Sequence, residues 1–435
     1  MAAELAPDVV VLGTGMAGMC AATAAVEQGA QVLVVERAPT IGGSAAISGG
    51  YVWTARDLDS LRNEDMGEFQ RHGHLVVEGY EDVKRWLTGF AAPVTEELPT
   101  LYGRGHKFDI PLLFGTMARR IVSTGGRIRV GAEVTDVARN DDGFTLSVRR
   151  NGDTSTVRSP SLVLATGGRQ ADPEVRRSLI EGGALLAPLR GNRFSRGDGA
   201  AIAIALGGRV NAANKGFYGH LFAAGVEPLA PIDFIIFSLF QSSEGVMLDA
   251  GGRRFADETR GDHNNAAAVA AIGGRALLLW SQEVQERVST TPWTVGTPLM
   301  DRWLFSRDRG GRTTSAADAA ELVRLVREWG YDVQAALADD AVRARIGAAR
   351  IFAAEVVPAV TMTFGGIEVD DAGTAVDGDG EPIPGLLVAG GDTSDIYHRG
   401  YAGGLCAAAV TGRRAGTTAA RLAGTAANRM ATRSA

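Results

Sequence analysis

Three glycines set between a buried-strand pattern and an alanine-rich run constrain this chain more than any other feature. Residues 9–22 read VVVLGTGMAGMCAA, which places Gly13, Gly15 and Gly18 at the spacing GxGxxG. Val9, Val10, Val11 and Leu12 predict a parallel strand covered on both faces, and residues 16–28 predict a helix packed closely through small side chains. Glycine in the connecting turn permits the sharp reversal and lets backbone approach a pyrophosphate, whose charge then meets the helix N-terminus. A second strand over 31–35 leads to Glu36, 18 residues after Gly18, near the spacing at which a carboxylate accepts from a ribose hydroxyl. Glycine spacing alone is a weak signal. Strand, turn, helix, strand and acid in that order point to a bound dinucleotide, and Glu36 would repel a ribose carrying a 2′-phosphate.

A length of 435 residues implies two or three domains. The net charge is −6 with no block of like charge, which favours neither nucleic acid nor an anionic membrane as a partner. Cys20 and Cys406 sit among small apolar residues, the pattern of buried thiols in a reducing compartment, so the expected location is cytoplasmic. The first strand begins within about eight residues, leaving no space for a signal segment. The longest apolar stretch, LAPIDFIIFSLF at 229–240, contains Pro231 and Asp233, is too short for a transmembrane segment, and is expected in a core or a pocket wall. The histidines are scattered without paired spacing, so no metal site is expected.

After Glu36 and Arg37 the chain runs through two glycine pairs, Gly42 with Gly43 and Gly49 with Gly50, a composition that lets backbone approach a large flat group. From Ile110 onward a helix, a strand and a hairpin-like pair turning at NDDG are expected. SLVLATGG at 161–168 repeats the strand-then-glycine arrangement. GDGAAIAIALGG at 197–208 predicts a helix capped by Asp198. Between about 211 and 350 the character changes: Trp280, Trp293, Trp303 and Trp329 fall here, with the amphipathic helix pattern SAADAAELVRLVREWG. The tail then resumes the earlier glycine-rich style. This predicts an α/β fold in which a discontinuous Rossmann-like nucleotide-binding domain, 1–212 and 351–435, is interrupted by an inserted α+β capping domain, 213–350.

These pieces together resemble the fumarate reductase and 3-ketosteroid dehydrogenase superfamily of flavoproteins. DVVVLGTGMAG, VVERAPTIGGSAAISGG, LVLATGG, GDGAAIAIALGGRV, GVMLDAGGRRFADE, TMTFGGIEV, PIPGLLVAGGDTS and YAGGLCAAAVTGRRAG occur in the family's order along nearly the whole chain. The resemblance implies FAD, a cap over the nucleotide-binding body, and hydride transfer at flavin N5. It also implies that Gly13, Gly15, Met16, Ala17 and Gly18 hold the pyrophosphate and that Glu36, with Arg37 beside it, takes the adenosine ribose. Gly42, Gly43 and Ser44 then lie near phosphate and ribityl, Ser48, Gly49 and Gly50 along the isoalloxazine, and Val134 at the adenine. Ala165, Thr166 and Gly167 fall behind the cofactor, Gly391 and Asp392 at the ribityl chain, and Gly404, Leu405 and Cys406 at the flavin pyrimidine edge. A helix opening at GGLCAAAV gives the last assignment a physical basis, because its N-terminus stabilises negative charge on the reduced ring. Members with covalent flavin carry a histidine in the second glycine-rich stretch; GGSAAISGG has none, so FAD is expected to be non-covalent.

Removing hydrogen beside a carbonyl requires a hydride acceptor, a base and donors for enolate-like charge. Tyr401 in HRGYAGGL matches a tyrosine that the ketosteroid branch places beside the substrate carbonyl, and His398 and Arg399 stand next to it. The family's glycine four residues after that tyrosine is here Leu405, unless a one-residue gap restores Gly404. Arg260 in RFADETRGDH is the nearest match to the proton-donating arginine of the fumarate branch, about two residues out of register; it is equally placed to pair with Glu258 or Asp262. His263 is a weaker candidate. Thr361 and Met362 stand where that branch holds a carboxylate with histidine, which argues against a dicarboxylate. Tyr51, Trp53 and Tyr102 are candidates to line the pocket. The reading is an FAD-dependent dehydrogenase that introduces a double bond beside a carbonyl in a mostly apolar small molecule, the alternative being an ene-type reductase. With no CxxCH and no iron–sulfur ligand set, the electron partner is expected to be a quinone, oxygen or a redox protein.

Overall fold

The strand Val9–Leu12 lies inside a six-stranded sheet ordered Thr374–Val376, Pro382–Val388, Ser161–Leu164, Val9–Leu12, Val32–Val35 and Arg127–Arg129. Every pairing except the one at the Thr374–Val376 edge is parallel. Parallel strands need cover on both faces, and all residues of Val9–Leu12, Val32–Val35 and Ser161–Leu164 are buried. Val10, Leu12, Leu33, Val35, Leu162 and Leu164 join one core with Phe144, Leu146, Val148, Val157 and Ala203. Helices Met16–Glu27 and Gly404–Arg433 pack against the sheet and against each other. In the computed structural model the described residues are 5–64, 71–100, 102–226, 233–292 and 299–433.

Two compact units result: the first is Met1–Arg169, Phe194–Lys215 and Thr363–Ala435, the second Gln170–Arg193 and Gly216–Met362. In the first unit the expected hairpin is a three-stranded meander, Ala132–Asn140, Gly143–Arg150 and Asp153–Ser159. The extra strand follows from Asn151 and Gly152, whose φ values of 52° and 88° make the reversal that an Asn-Gly pair favours. Asp198 does not cap its helix. Gly197, at φ 87°, takes that position, and Asp198 instead pairs with Arg37 at 2.8 Å.

The second unit holds a sheet ordered Phe217–Ala223, Ile351–Thr363, Ala276–Ser281 and Val246–Leu248, with Thr313–Ala316 also paired to Ile351–Thr363. The tail therefore does not return to the first unit at 351: the 13-residue strand Ile351–Thr363 is needed to pair both Ala276–Ser281 and Thr313–Ala316. Residues 170–193 join this unit for a related reason, since Leu189 bridges Val360 and the Arg190 N–H donates to the Val360 carbonyl at 2.8 Å. Of the apolar stretch at 229–240, residues 229–232 lie outside the described residues, as does Trp293; Phe237 and Leu239 are fully buried, in core as expected.

Glu355 ties this unit together. Only 2% exposed, it accepts from Arg275 at 2.9 Å and Arg312 at 2.8 Å through one oxygen, and from Tyr331 at 3.3 Å through the other. Both arginines are half exposed and can rehydrate, so the cost of losing the carboxylate lies below the ~3–5 kcal/mol of a fully buried pair. Glu355→Ala is expected to destabilise the protein by about 2 kcal/mol in urea unfolding.

Candidate active site

The three glycines of the first turn divide into two kinds. A β-carbon on Gly13 would sit 2.2 Å from the Ala165 carbonyl oxygen, and one on Gly18 would sit 2.0 Å from the Gly13 carbonyl oxygen. Both are required by the protein's own packing. A β-carbon on Gly15 would meet no atom within 4 Å, and its φ of −66° suits any residue. Gly15 is also the N-cap of Met16–Glu27, with no side-chain cap and no acidic residue in the first turn. Open space before uncapped N–H groups is what a pyrophosphate requires, so this turn fits the diphosphate of a dinucleotide.

Glu36 is 8% exposed, accepts from the Thr14 N–H at 2.8 Å and hydroxyl at 2.7 Å, and from the Ala38 N–H at 2.7 Å. Three bonds fix the carboxylate and leave acceptor capacity on its oxygens. Arg37 is committed to Glu133 at 3.1 Å and Asp198 at 2.8 Å. The Gly42 N–H donates to the Thr14 carbonyl at 3.2 Å, joining the second glycine-rich stretch to the first. There Gly43 and Ser44 open a short helical turn, Gly43–Ile47, and the Ser48 hydroxyl donates to the Ala45 carbonyl at 2.7 Å while accepting from Gly50 at 3.2 Å. Gly49 is exposed, and Val134 is partly buried beside a bulge in its strand.

Ala165, Thr166 and Gly167 follow the strand Ser161–Leu164, and Gly391 and Asp392 follow Pro382–Val388, its parallel neighbour. The two loops are bonded: the Thr166 N–H and hydroxyl donate to the Asp392 carboxylate, and the hydroxyl accepts from the Gly199 N–H at 2.9 Å. Burial holds Asp392 at about 7, above its ordinary 3.8, despite the bonds from Thr166. The unfolded chain thus releases this proton at lower pH than the folded one. Between the two values the folded state binds more protons, and stability falls as pH rises.

The loop leading into Gly404–Arg433 gathers the aromatic residues. The Tyr401 hydroxyl oxygen accepts from the Gly404 N–H at 2.7 Å, so the phenol takes up one of the helix's open donors. Trp53 meets Tyr401 edge to face at 5.7 Å and Tyr102 at 5.8 Å, and Tyr397 lies 5.5 Å from Tyr401 between centroids. The Tyr102 hydroxyl donates to the Tyr401 carbonyl, and that of Tyr397 donates to Ala402 at 2.7 Å. Tyr401 is 9% exposed, His398 is partly buried and Arg399 is exposed. Leu405 and Cys406 lie in the first turn of the helix; burial raises the Cys406 thiol above its ordinary value.

Arg260 lies in the second unit, in the turn Glu258–Arg260, where its carbonyl accepts from the Asn264 amide at 2.9 Å. Glu258, fully buried, is bonded to Arg254 and to the Met247 N–H at 2.9 Å, and Asp262 to His220. The Asp262 partnership belongs to a polar cluster that the sequence did not reveal. His220 Nδ1 is bonded to the Asp262 carboxylate, and His220 Nε2 to the Tyr218 hydroxyl at 2.7 Å. Arg190 also bonds the Tyr218 hydroxyl, and donates to Ser238 at 3.0 Å and Thr361 at 2.8 Å. Arg190, His220, Asp262 and His263 are each at most 6% exposed. Tyr218 and His220 alternate on one face of Phe217–Ala223, but their carboxylate comes 42 residues later, a partnership that no local spacing encodes.

Residues 8–74 and 64–406 match the profile of the FAD binding domain family. The chain belongs to this family. It is a flavoprotein oxidoreductase that binds FAD. It is 24% identical to "Fumarate reductase (cytochrome)" of Shewanella frigidimarina, over 95% of this chain and 77% of the other. It is likewise 24% identical to "4-oxocyclohexanecarboxylate 2-dehydrogenase" of Sinomonas cyclohexanicum, over 91% of this chain and 89% of the other. Its fold is that of the 3-ketosteroid delta1-dehydrogenase of Sterolibacterium denitrificans, with a TM-score of 0.76 at 16% identity, covering 96% of this chain and 99% of the other. No described helix is long and apolar enough to cross a membrane.

Two outcomes follow for the flavoprotein. Gly15→Ala is expected to leave the melting temperature of the flavin-free protein nearly unchanged while weakening FAD binding at least ~10-fold by fluorescence titration, whereas Gly18→Ala lowers both. In flavin-free protein, urea unfolding is expected to show stability falling on the order of 3 kcal/mol between pH 4 and 7 from Asp392, a fall that Asp392→Asn removes.

Proposed function

We propose that this flavoprotein is a dehydrogenase that introduces a double bond beside a carbonyl group in a mostly apolar small molecule, with FAD held non-covalently. The observation that carries the reading is the Tyr401 hydroxyl at the start of Gly404–Arg433. Its oxygen accepts from the Gly404 N–H at 2.7 Å, which pins the phenol at the start of that helix as a group suited to polarising a carbonyl. Trp53 and Tyr397 pack against the ring and restrict its rotation, so the donor is fixed in place beforehand. The aromatic surroundings suit an apolar, ring-containing substrate.

When bound, FAD supplies a hydride acceptor. The turn at Gly15 would hold its diphosphate, the carboxylate of Glu36 its ribose, and the loops at Thr166 and Asp392 its ribityl chain. Ser48, Gly49 and Gly50 would border the ring, and the N–H groups of Leu405 and Cys406, at the positive end of a long helix, would stabilise negative charge on its pyrimidine edge. His398 and Arg399 contribute positive or donor groups to the same loop. Arg260 is the corresponding candidate in the second unit. The residues ahead of Phe364, Thr361 and Met362, supply no cation for a dicarboxylate.

The opposite net direction, reduction of an activated double bond, is favoured by the fumarate reductase relative, which this chain matches over 95% of its length. Electrons leave or enter through a quinone, oxygen or a redox protein. Anaerobic mixing of the yellow protein with saturated cyclic ketones separates the two directions. Prompt bleaching of the flavin supports dehydrogenation; no bleaching, with reoxidation of the reduced protein by the unsaturated ketone, overturns it in favour of reduction. Tyr401→Phe is expected to slow the productive reaction about 100-fold with flavin retained. Acid precipitation is expected to leave the flavin in the supernatant.

A further inference from the structure

A cavity of about 210 Å³ lies wholly within the second unit, and none of the residues lining it belongs to the nucleotide site. It is lined from the short turn Phe240–Glu244, from the end of helix Gln282–Thr290 with the two residues that follow, and from the start of helix Arg302–Asp308. The two helices are tied to each other. The Gln285 side chain, in a residue 5% exposed, accepts from the Trp280 indole N–H at 2.9 Å and donates to the Asp301 carboxylate at 2.9 Å. That carboxylate also caps Arg302–Asp308 through the Leu304 N–H at 2.8 Å, so the cavity has a fixed frame.

Two polar side chains line the cavity although they are almost closed to bulk water: Gln241 is 2% exposed and Arg302 6%. Among the described residues the Gln241 side-chain amide has no hydrogen-bond partner, and a buried amide carries two donors and an acceptor that call for one. The Arg302 guanidinium lies over the Phe240 ring, 5.2 Å from its centre, and donates through Nε to the Ile235 carbonyl at 3.4 Å. Burial lowers Arg302 below the ordinary arginine value, so an anion set against it restores stabilisation that water supplies elsewhere. Arg287, the second cation of the lining, is half exposed and paired with Glu244. Phe240, Val288, Pro292 and Trp303 supply apolar walls, and the Trp303 indole N–H is used on the Ala353 carbonyl at 3.4 Å.

This composition selects a class of ligand. The volume falls below the ~300–1,000 Å³ of sites for drug-sized molecules and suits a single ring. A guanidinium beside an amide matches one carboxylate, whose two oxygens the planar fork can take together. A dianion such as phosphate would bring a second charge that the Arg287–Glu244 pair does not balance. We infer that the cavity is a binding site for a small monocarboxylate carrying one apolar ring, with the carboxylate on Arg302 and Gln241 and the ring among Phe240, Val288 and Trp303. The chemistry of this site is the same whichever way the flavin reaction runs.

The test titrates the full-length flavin-loaded protein with sodium benzoate at pH 7 by calorimetry, with the flavin absorbance followed in parallel. Benzoate is expected to bind once per chain with a Kd below ~1 mM and to leave the flavin bands unmoved. Benzamide, which has the ring without the charge, and inorganic phosphate, which has charge without the ring, are each expected to bind at least ~10-fold more weakly. Arg302→Met is expected to weaken benzoate at least ~10-fold and Gln241→Leu about 5-fold. Because loss of a buried arginine can also disturb folding, Val288→Trp provides a second arm: it fills the cavity from a half-buried position, leaves both polar groups in place, and is expected to abolish binding with the yellow spectrum retained. Absence of saturable binding up to ~10 mM overturns the inference. So does a benzoate affinity unchanged in both Gln241→Leu and Val288→Trp, which places benzoate elsewhere, and so does phosphate binding as tightly as benzoate, which reduces the cavity to a simple anion site.

Discussion

Close backbone approach is the constraint from which the first unit follows. A β-carbon would sit 2.3 Å from the Ala17 carbonyl oxygen at Gly412 and 2.0 Å from that of Ala21 at Gly416, so two helices cross with almost no side chain between them. Gly13 and Gly18 are caught in the same compression, against Ala165 and against each other. Such contact is available only where small residues line both helices, as in MAGMCAATAA at 16–25 and VTGRRAGTTAA at 410–420. The compression holds the start of Met16–Glu27 against the end of Val9–Leu12, and the uncapped helix terminus is thereby fixed where a diphosphate can meet it. Gly15 alone among the three is spared by the packing, so it reports on the ligand and the other two on the fold.

What the sequence made legible was local. The first strand, turn and helix, the acid at Glu36 and the repeated strand-then-glycine pattern at 161–168 each rest on residues within one turn of one another, and the backbone reproduces them with shifts of one residue at element ends. The third strand of the meander is equally local: Asn151 and Gly152, about ten residues after NDDG, are the strongest short hairpin signal in the region. Asp198 shows a different failure. An acid at a helix start reads as a cap, but a glycine at φ 87° precedes it, and Arg37, more than 160 positions away, claims the carboxylate.

The remainder depends on pairings that no window of sequence contains. Ile351–Thr363 reads as a strand, yet which sheet receives it is decided by Ala276–Ser281 and Thr313–Ala316, both of which need it as a partner. Tyr218, His220 and Asp262 are individually unremarked residue types, and a buried histidine alone is more often structural. Only the arrangement, with a carboxylate on one ring nitrogen and a phenol on the other, gives the histidine a direction.

The segment RRFADETRGDH shows how a scaffold sets the aim of the residues that follow it. Its glutamate, Glu258, is fully buried, pairs with Arg254 and accepts from the Met247 N–H at 2.9 Å, binding the segment to the edge strand Val246–Leu248. The Asn265 amide returns to the Glu258 carbonyl at 3.1 Å and to Ser242 at 3.1 Å, which fixes the first turn of the helix Asp262–Ala271 against that anchor. Gly261, at φ 99°, makes the corner between the two. A rigid anchor, a glycine corner and a pinned first turn together leave little freedom to the residue directly after the corner, and that residue is Asp262. The Arg254–Glu258 half of the segment is therefore architecture, and its consequence is the aim of one carboxylate at His220.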